Sequence, residues 1–403
     1  MNVLFLTLMK IGSLNERGIY QDLLRKFAAE GHQVAIVTPA ERREKIHTNL
    51  KEENNARILQ VRTFNIQKTN LFEKGIGTLA IEYQYLTAIK KYLSKFRFDL
   101  VMYSTPPITF SKVISYVKKR DKAYSYLLLK DIFPQNAVDM KMISKGGFLH
   151  RYFLSKEKKL YRISDTIGCM SPANVNFLLE HNQDVPSDKV EVNPNSIEPA
   201  YINYTKEEII SVREKYQIPV DKTVFVYGGN LGVPQGIQFL IDTIESCTNS
   251  RAFFLVVGNG TEFLKIENFF KEKRPANARL IQSLPKADYD RLLACCNVGL
   301  IFLDKNFTIP NFPSRLLSYL EMKMPVVAAT DPSTDVGDII QMAGCGYKVL
   351  AGDINRMIEV IDRLAIKDNL LDMGERGWEL LQKSYLVDYS YQLVVNRMKK
   401  NVL

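Results

Sequence analysis

The chain has 403 residues, of which 46% are hydrophobic and 24% charged, and it carries a net charge of +10. This composition is typical of a globular protein long enough for two cores, and the charge indicates an anionic partner such as a nucleotide, a lipid surface or nucleic acid. No run approaches the ~20 apolar residues of a membrane-spanning helix, and the scattered cysteines and histidines show neither a disulfide framework nor metal-ligand spacing.

The first half of the chain alternates predicted strands and helices. Apolar runs predict strands at residues 3–8, 33–38, 57–63, 99–104, 124–129, 166–170 and 190–193. We interpret the first run as a strand rather than a signal peptide. With helices predicted at 19–30 and 77–96, the alternation indicates a parallel, doubly wound sheet. Ligands of such sheets gather beyond the C-terminal ends of the strands.

Polar and proline residues follow three of these strands, at the edge where ligands are expected. They are Asn15, Glu16 and Arg17 after the first strand, Pro106 and Pro107 after strand 99–104, and Asp131 after strand 124–129. The triplet is either part of a binding site or a solvated turn. A carboxylate at the position of Asp131 is either a helix N-cap or a site acid, and we favour the site.

Residues 141–162 form a basic segment with interleaved aromatic side chains. The segment contains seven Lys or Arg residues and one acid, Glu157. A basic helix of this kind fits the anionic headgroups of a membrane surface. The alternative is a solvated helix whose apolar side is core. Nucleic acid is not an expected partner, because no nucleic-acid-binding motif appears.

A domain boundary is expected near Pro199, after which the alternation of strands and helices begins again. Strands are predicted at 222–228, 253–257, 280–281 and 298–303. Two of the loops that follow them, 228–236 and 258–260, are rich in glycine. Glycine-rich loops repeated at one sheet edge are suited to a diphosphate with an attached base. The dinucleotide fingerprint G-x-G-x-x-G is missing.

The stretch 310–329 predicts a loop, a helix and a buried strand. Pro313 and Ser314 are typical helix-start residues, with Ser314 as the N-cap. We interpret this start as an anion site that combines unpaired N–H groups, the helix dipole, the Ser314 hydroxyl and the Arg315 guanidinium. The alternative is an ordinary buried βα unit.

Together these motifs resemble the retaining glycosyltransferases of the GT-B fold, family 4, in the branch that builds bacterial surface polysaccharides such as capsule and O-antigen. The matching segments are GHQVAIVTP, STPP, KDIFPQ, VNPNS, YGGNLGVPQGI, VVGNG and NFPSRLLSYLEMKMPVVAA. The resemblance implies an α/β protein with two Rossmann-like domains facing a central cleft. The acceptor would bind residues 1–199 and the nucleotide-sugar residues 200–380, with a C-terminal helix at 381–403 packing back on the first domain. Neither a metal nor a cofactor is implied.

The resemblance also implies the roles of individual residues. The donor-binding positions are Asn230, Gly232, Gln235, Gly258, Asn259, Leu284, Pro313, Ser314, Arg315 and Ser318. Asn230 and Gln235 stand where the family has cations, which leaves Arg315 to neutralise the departing diphosphate. Asp131 would lie at the reacting centre, with Asn15, Glu16, Arg17, Pro106 and Pro107 on the acceptor side.

A second departure from the family concerns two glutamates eight residues apart. Pro310 and Ser318 occupy these positions here. The later glutamate holds the ribose diol in the family, a bidentate contact that a serine makes only in part. Glu321, one turn further, is either a substitute or a solvated helix residue, and we favour the solvated residue.

The function expected from these features is a glycosyltransferase associated with the cytoplasmic face of the cell membrane through residues 141–162. It would move a sugar, of the UDP-N-acetylhexosamine type, to a lipid-linked or saccharide acceptor. One alternative is a nucleotide-sugar epimerase on the same architecture. The other is a non-catalytic scaffold of a polysaccharide assembly complex, an alternative that the missing glutamates motivate.

Overall fold

The computed structural model describes residues 1–53, 55–66, 71–200, 204–366 and 368–402, without the side chains of 71–76, 401 and 402. The chain divides into two compact units. The first comprises Met1–Glu198 with Tyr385–Leu403, and the second Pro199–Ser384. The first unit therefore takes up both ends of the chain, and the second is inserted between them.

Unit 1 is built on an eight-stranded sheet with the order β3-β4-β2-β1-β5-β6-β7-β8. Its strands are β1 Asn2–Leu6, β2 Gln33–Glu41, β3 Asn49–Glu53, β4 Ala56–Thr63, β5 Leu100–Ser104, β6 Tyr124–Leu129, β7 Thr166–Cys169 and β8 Val190–Val192. Its helices are α1 Ile19–Ala29, α2 Leu71–Tyr92, α3 Ser111–Asp121, α4 Gln135–Asp139, α5 Phe148–Ile163 and α6 Pro172–His181. The β3–β4 pair is antiparallel, and the other strand pairs are parallel.

Unit 2 is built on a six-stranded parallel sheet with the order β11-β10-β9-β12-β13-β14. Its strands are β9 Thr223–Asn230, β10 Ala252–Asn259, β11 Ala278–Ile281, β12 Val298–Phe302, β13 Val326–Thr330 and β14 Gly346–Leu350. Its helices are α7 Lys206–Lys215, α8 Ile237–Ser246, α9 Phe263–Lys273, α10 Lys286–Leu293, α11 Arg315–Glu321, α12 Val336–Met342, α13 Ile354–Ala365 and α14 Leu370–Ser384.

The last helix, α15 Val387–Val402, packs on unit 1. Its Tyr391 and Val394 are buried in the same core as Phe27 of α1. The Tyr391 hydroxyl lies 2.9 Å from His32 Nε2, and Ser390 Oγ donates to Asn193 Oδ1 at 2.7 Å. Aromatic packing and buried hydrogen bonds thus hold the end of the chain against the first sheet.

The predicted fold class is confirmed: both units are α/β with Rossmann-like sheets, parallel except for the β3–β4 pair. The apolar runs became buried strands because a parallel sheet is covered by helices on both faces. The prediction omitted β3 and β14. The β3 sequence NLKEE has no buried residue, so hydrophobicity gives no signal for an edge strand that pairs through its backbone. In the described part of the chain, no helix combines the length and the apolar character needed to cross a bilayer.

Candidate active site

The two glycine-rich loops of unit 2 lie side by side at the C-terminal ends of β9 and β10. Gly229 is paired in register with Gly258, and Asn230 with Asn259. A Cβ atom on Gly258 would lie 1.9 Å from the Gly229 carbonyl oxygen, so the close approach requires glycine. Gly229 also has a φ of +126°, which residues with side chains rarely adopt. The sequence therefore builds a strand end with exposed backbone and little side-chain bulk.

Hydrogen bonds within the loop after β9 fix its shape. Gln235 Oε1 accepts from Asn230 Nδ2 at 2.9 Å and from the Gly232 amide at 3.2 Å. The Tyr227 hydroxyl donates to the Asn230 carbonyl at 2.7 Å. Asn230 and Gln235, the two neutral residues predicted to bind the donor, thus contact each other. They stabilise the loop and bring no positive charge to it.

Arg315, the first residue of α11, supplies that charge. Its guanidinium carbon lies 4.3 Å from the centre of the Tyr227 ring, in cation–π contact. A Cβ atom placed on Gly229 would lie 3.4 Å from Arg315 Nη2, so the guanidinium lies against the glycine loop. Its Nη1 is buried and has no hydrogen-bond partner among the described residues. Because an unpartnered buried donor is costly, an anion bound at this loop would gain a strong hydrogen bond.

Two further tyrosines complete the surroundings of Arg315. The Tyr319 hydroxyl accepts from the Gly228 amide at 3.3 Å and lies 3.1 Å from the Leu300 carbonyl oxygen, and burial raises the pKa of Tyr319 to about 12. Tyr289, on α10, reaches the same strand end, since a Cβ atom on Gly228 would lie 1.8 Å from its hydroxyl oxygen. Tyr227, Tyr289 and Tyr319 lie far apart in the sequence, and none of them was predicted as a site residue. Only their convergence at one strand end identifies them.

The predicted start of α11 is confirmed, but the prediction of its capping is wrong. Ser314 has helical backbone angles and makes no side-chain capping bond. The Leu316 and Leu317 amides donate to the carbonyls of Pro313 and Ser314 at 3.2 and 3.1 Å, so neither amide is free for an anion. A tight first turn has taken up these groups. The Arg315 side chain remains as the donor at this position.

The sequence favoured a solvated position for Glu321 on its helix, and this prediction is wrong. Its carboxylate is buried and accepts from the Ala200 amide at 2.7 Å. The glutamate therefore holds the chain where unit 2 begins. Ser318 is half-buried on the preceding turn of α11, and Leu284 is half-buried in the loop after β11, at the same edge of the sheet as the glycine loops.

In unit 1, the ends of β5 and β6 are joined through one hydroxyl group. Thr105 Oγ1 accepts from the amides of Lys130 and Asp131 at 3.0 and 3.1 Å, and it donates to the Asp131 carbonyl at 3.0 Å. The bonds from Thr105 to Pro106 and from Pro106 to Pro107 are both cis. The hydrogen bonds of Thr105 hold Pro106, Pro107 and Asp131 at one strand edge, as predicted from their positions after the strands.

Two titratable groups lie at this edge. Burial raises the pKa of Asp131 to about 6 and lowers the pKa of Lys130 to about 7. Lys130 Nζ donates to the Asn193 carbonyl at 3.4 Å. Tyr20 of α1 is buried nearby, and its raised pKa is due to burial, offset by a bond to Ser104, with a further increase from the charge of Asp131. Of this group, Asp131 was predicted from the sequence, and Lys130 and Tyr20 were not.

The polar triplet after β1 contacts the edge strand β3 and helix α1. Asn15 Nδ2 donates to Glu53 Oε1 on edge strand β3 at 2.8 Å, and Ser13 Oγ donates to the same oxygen at 2.6 Å. The Glu16 carbonyl accepts from Arg25 Nη1 at 3.3 Å. These contacts tie Asn15 and Glu16 to β3 and α1 rather than to Asp131. An acceptor role for Asn15, Glu16 and Arg17 stays a prediction.

The basic segment begins with turns and continues as α5. Glu157, its one acid, is buried, accepts from the Tyr161 hydroxyl at 2.7 Å and has a pKa raised by burial to about 7. At the N-terminal end, Met142, Phe148 and Leu149 are 55%, 83% and 54% exposed. The exposed basic residues of the segment are Lys141, Lys145, Arg151, Lys158, Lys159 and Arg162. The surface of the segment is therefore cationic, with an apolar tip defined by Met142, Phe148 and Leu149.

Comparison with known proteins agrees with this two-unit arrangement. Residues 19–201 match the family model described as Glycosyltransferase Family 4, and residues 208–377 match Glycosyl transferases group 1. The chain is 23% identical to the probable glycosyltransferase WbjE of Pseudomonas aeruginosa over 79% of this chain and 78% of that protein. It is 22% identical to the putative colanic acid biosynthesis glycosyl transferase WcaI of Escherichia coli K12, over 49% and 48% of the two chains.

Solved structures show the same fold. The Anabaena protein Alr3699/HepE, crystallised in complex with UDP, superposes with a TM-score of 0.69 at 14% identity, covering 99% of this chain and all of that one. Since the two family models account for most of the sequence and this likeness for the fold, the chain is a glycosyltransferase of the GT-B type.

Proposed function

We propose that the protein transfers a sugar from a nucleotide-sugar, of the UDP-N-acetylhexosamine type, to a lipid-linked or saccharide acceptor in surface polysaccharide synthesis. The transfer retains the anomeric configuration and needs no metal. One observation carries the donor assignment: the Arg315 guanidinium lies against the glycine loop of unit 2 with Nη1 buried and unpartnered. The UDP in the Anabaena complex and the names of the two relatives support the nucleotide and the pathway class.

The residues divide the reaction between the two units. When the bond from the anomeric carbon to the diphosphate breaks, negative charge develops on the leaving group. Arg315 stabilises that charge, and the glycine strand ends at Gly229 and Gly258 allow the diphosphate to approach the backbone. In unit 1, Asp131 binds sugar hydroxyls or orients the acceptor, with Pro106 and Pro107 beside it. The assignment includes no covalent nucleophile.

Product analysis with a panel of nucleotide-sugars tests the proposal. Thermal stabilisation of the chain by each donor first selects the base and the sugar, because a ligand that prefers the folded state raises its melting temperature. Incubation with saccharide and lipid-linked acceptors should then yield a glycoside with the anomeric configuration of the donor, as read by NMR. A product with the opposite configuration would contradict retention, and an altered sugar formed from the donor alone would indicate an epimerase.

A non-catalytic scaffold is the second candidate, and Ser318 is the observation in its favour. A serine at this position cannot hold a ribose diol through two acceptor oxygens as a glutamate does. The scaffold predicts donor binding without hydrolysis or transfer under any acceptor condition. Turnover in the same assay rules it out.

We further propose that α5 and the turns before it hold the protein on the cytoplasmic face of the membrane. The cationic surface would attract anionic headgroups, and the apolar tip would enter the interface. The chain passes from β6 through α4 to α5, which runs back to the start of β7, so the N-terminal tip of α5 is on the side of the sheet where β6 ends and Asp131 follows. Such a position suits an acceptor whose lipid remains in the bilayer.

Vesicle sedimentation tests this part separately. The chain should bind vesicles that contain phosphatidylglycerol and not vesicles of phosphatidylcholine alone. The Phe148→Ser/Leu149→Ser variant should lose binding, whereas Leu371→Ser, which changes an 86% exposed leucine of unit 2, should not. Equal binding to both kinds of vesicle, or equal loss in both variants, would contradict the proposed surface.

A further inference from the structure

A charged cavity lies in unit 1, away from the strand edge that carries Asp131. It has a volume of about 540 Å³ and is formed where β6, β7 and β8 begin, between the ends of α3 and α15. Asp131 follows the C-terminal end of β6, so the cavity is at the opposite end of the sheet. It is lined by five cations and two carboxylates, Lys118, Lys122, Lys189, Arg397, Lys400, Asp165 and Asp188.

Part of this charge is used within the protein. Lys118 Nζ donates to Asp165 Oδ2 at 2.7 Å, and Asp165 also accepts from the amide and the hydroxyl of Ser125. Arg397 Nε donates to Glu191 Oε2 at 2.5 Å. These two cations are therefore held in place by carboxylates and serve as fixed walls of the cavity.

The remaining cations have no such partner. Across the described ranges of the chain, the ammonium groups of Lys122 and Lys400 form no ion pair, and Lys189 Nζ donates only to the Ser164 carbonyl, at 3.4 Å. Asp188 is the one carboxylate of the cavity left to offset three ammonium groups. Lysines at the C-terminal ends of α3 and α15 also offset the helix dipoles, which explains Lys122 and Lys400 separately. It does not explain why they converge with Lys189 on one cavity.

We propose that this cavity is a binding site for a phosphate- or diphosphate-bearing anion, distinct from the donor site of unit 2. Three ammonium groups that share a cavity repel one another, and a polyanion between them removes that repulsion. The Tyr124 and Thr166 side chains also line the cavity, with their hydroxyl oxygens 2.6 Å apart, so that polar atoms are present on the strand side. The same chemistry fits a soluble phosphate compound or the headgroup of an anionic lipid.

Calorimetric titration of the full chain with inorganic pyrophosphate tests the site. The Lys122→Glu/Lys400→Glu variant should bind pyrophosphate about tenfold more weakly or worse, since several charge pairs of modest strength are reversed together. The matched control is Lys119→Glu/Lys399→Glu, which makes the same charge change near the C-terminal ends of the same two helices, at exposed lysines outside the cavity. Its affinity should stay close to that of the wild type. Thermal unfolding of each variant shows whether it is folded. Titration of Lys122→Gln/Lys400→Gln, which removes the two charges without reversing them, then separates a loss of binding from a loss of folding.

Two further arms identify the source of the anion and isolate the donor site. If the ligand is a lipid headgroup, Lys122→Glu/Lys400→Glu should also weaken binding to vesicles that contain phosphatidylglycerol. If the ligand is a soluble phosphate compound, the same variant should weaken the binding of pyrophosphate alone. The same titrations in an Arg315→Ala background remove binding in unit 2, so the outcome does not depend on the proposed function. Equal losses in both double variants, or no loss in either, would overturn the proposal.

Discussion

The substitution Arg315→Ala removes the cation that the account places beside the leaving diphosphate. A guanidinium about 4 Å from a developing charge contributes about 4 kcal/mol at an effective dielectric constant of about 20. Removal of one charge-stabilising donor from an active site typically lowers turnover by about 10²–10³-fold, which corresponds to about 3–4 kcal/mol and agrees with this contribution.

Steady-state transfer kinetics and UDP calorimetry, measured on the same preparations, check this prediction. Arg315→Ala should lower kcat/KM by about 10²-fold or more and should also weaken UDP binding. Arg315→Lys should recover part of both, since lysine keeps the charge but loses the fork of donors. The control Arg356→Ala removes an exposed arginine of unit 2 that pairs with Glu359. Unchanged kinetics in Arg315→Ala, with the control also unchanged, would refute the reasoning.

Three further predictions concern other parts of the two units. Since the Asp131 carboxyl has a pKa of about 6, it is protonated below that pH and ionised above it, so kcat/KM should rise with pH through about 6, and Asp131→Asn should abolish that rise in a pH–rate profile. Gly258→Ala should lower the free energy of unfolding by roughly 1–3 kcal/mol or more in urea titration, because its Cβ would meet the Gly229 carbonyl; unchanged stability would contradict the packing. Glu321→Ala should lower the free energy of unfolding by about 1–3 kcal/mol, because the Ala200 amide loses its partner, and it should leave the Kd for UDP unchanged; a weaker Kd at unchanged stability would instead place Glu321 at the ribose.

Features carried by local pattern were predicted from the sequence. The run YSYLLL at 124–129 became β6 with the same bounds, and the start of α11 was found at the Pro-Ser-Arg segment. The two glycine loops were expected at one sheet edge, and there Gly229 and Asn230 of the first are paired with Gly258 and Asn259 of the second. Hydrophobic periodicity and the polarity of a strand are local properties, so they can be read from neighbouring residues without knowledge of distant contacts.

Features that depend on distant partners were not predicted. The buried Glu321 carboxylate is bound by the Ala200 amide, 121 positions away in the sequence. The residues around Glu321 give no indication of this partner. Asn15 lies with Glu53 because the loop after β1 reaches the edge strand β3, which has no apolar pattern. Ser314 is a residue type that often caps helices, but here the amides of the tight first turn donate to backbone carbonyl oxygens instead of to the serine hydroxyl.

The most direct test of the central claim is a crystal structure of the chain soaked with UDP or with the donor selected by thermal stabilisation. We expect phosphate oxygens to accept hydrogen bonds from Arg315 Nη1 and to lie against the Gly229 and Gly258 strand ends. Phosphates bound elsewhere, with the Nη1 atom still unpartnered, would contradict it.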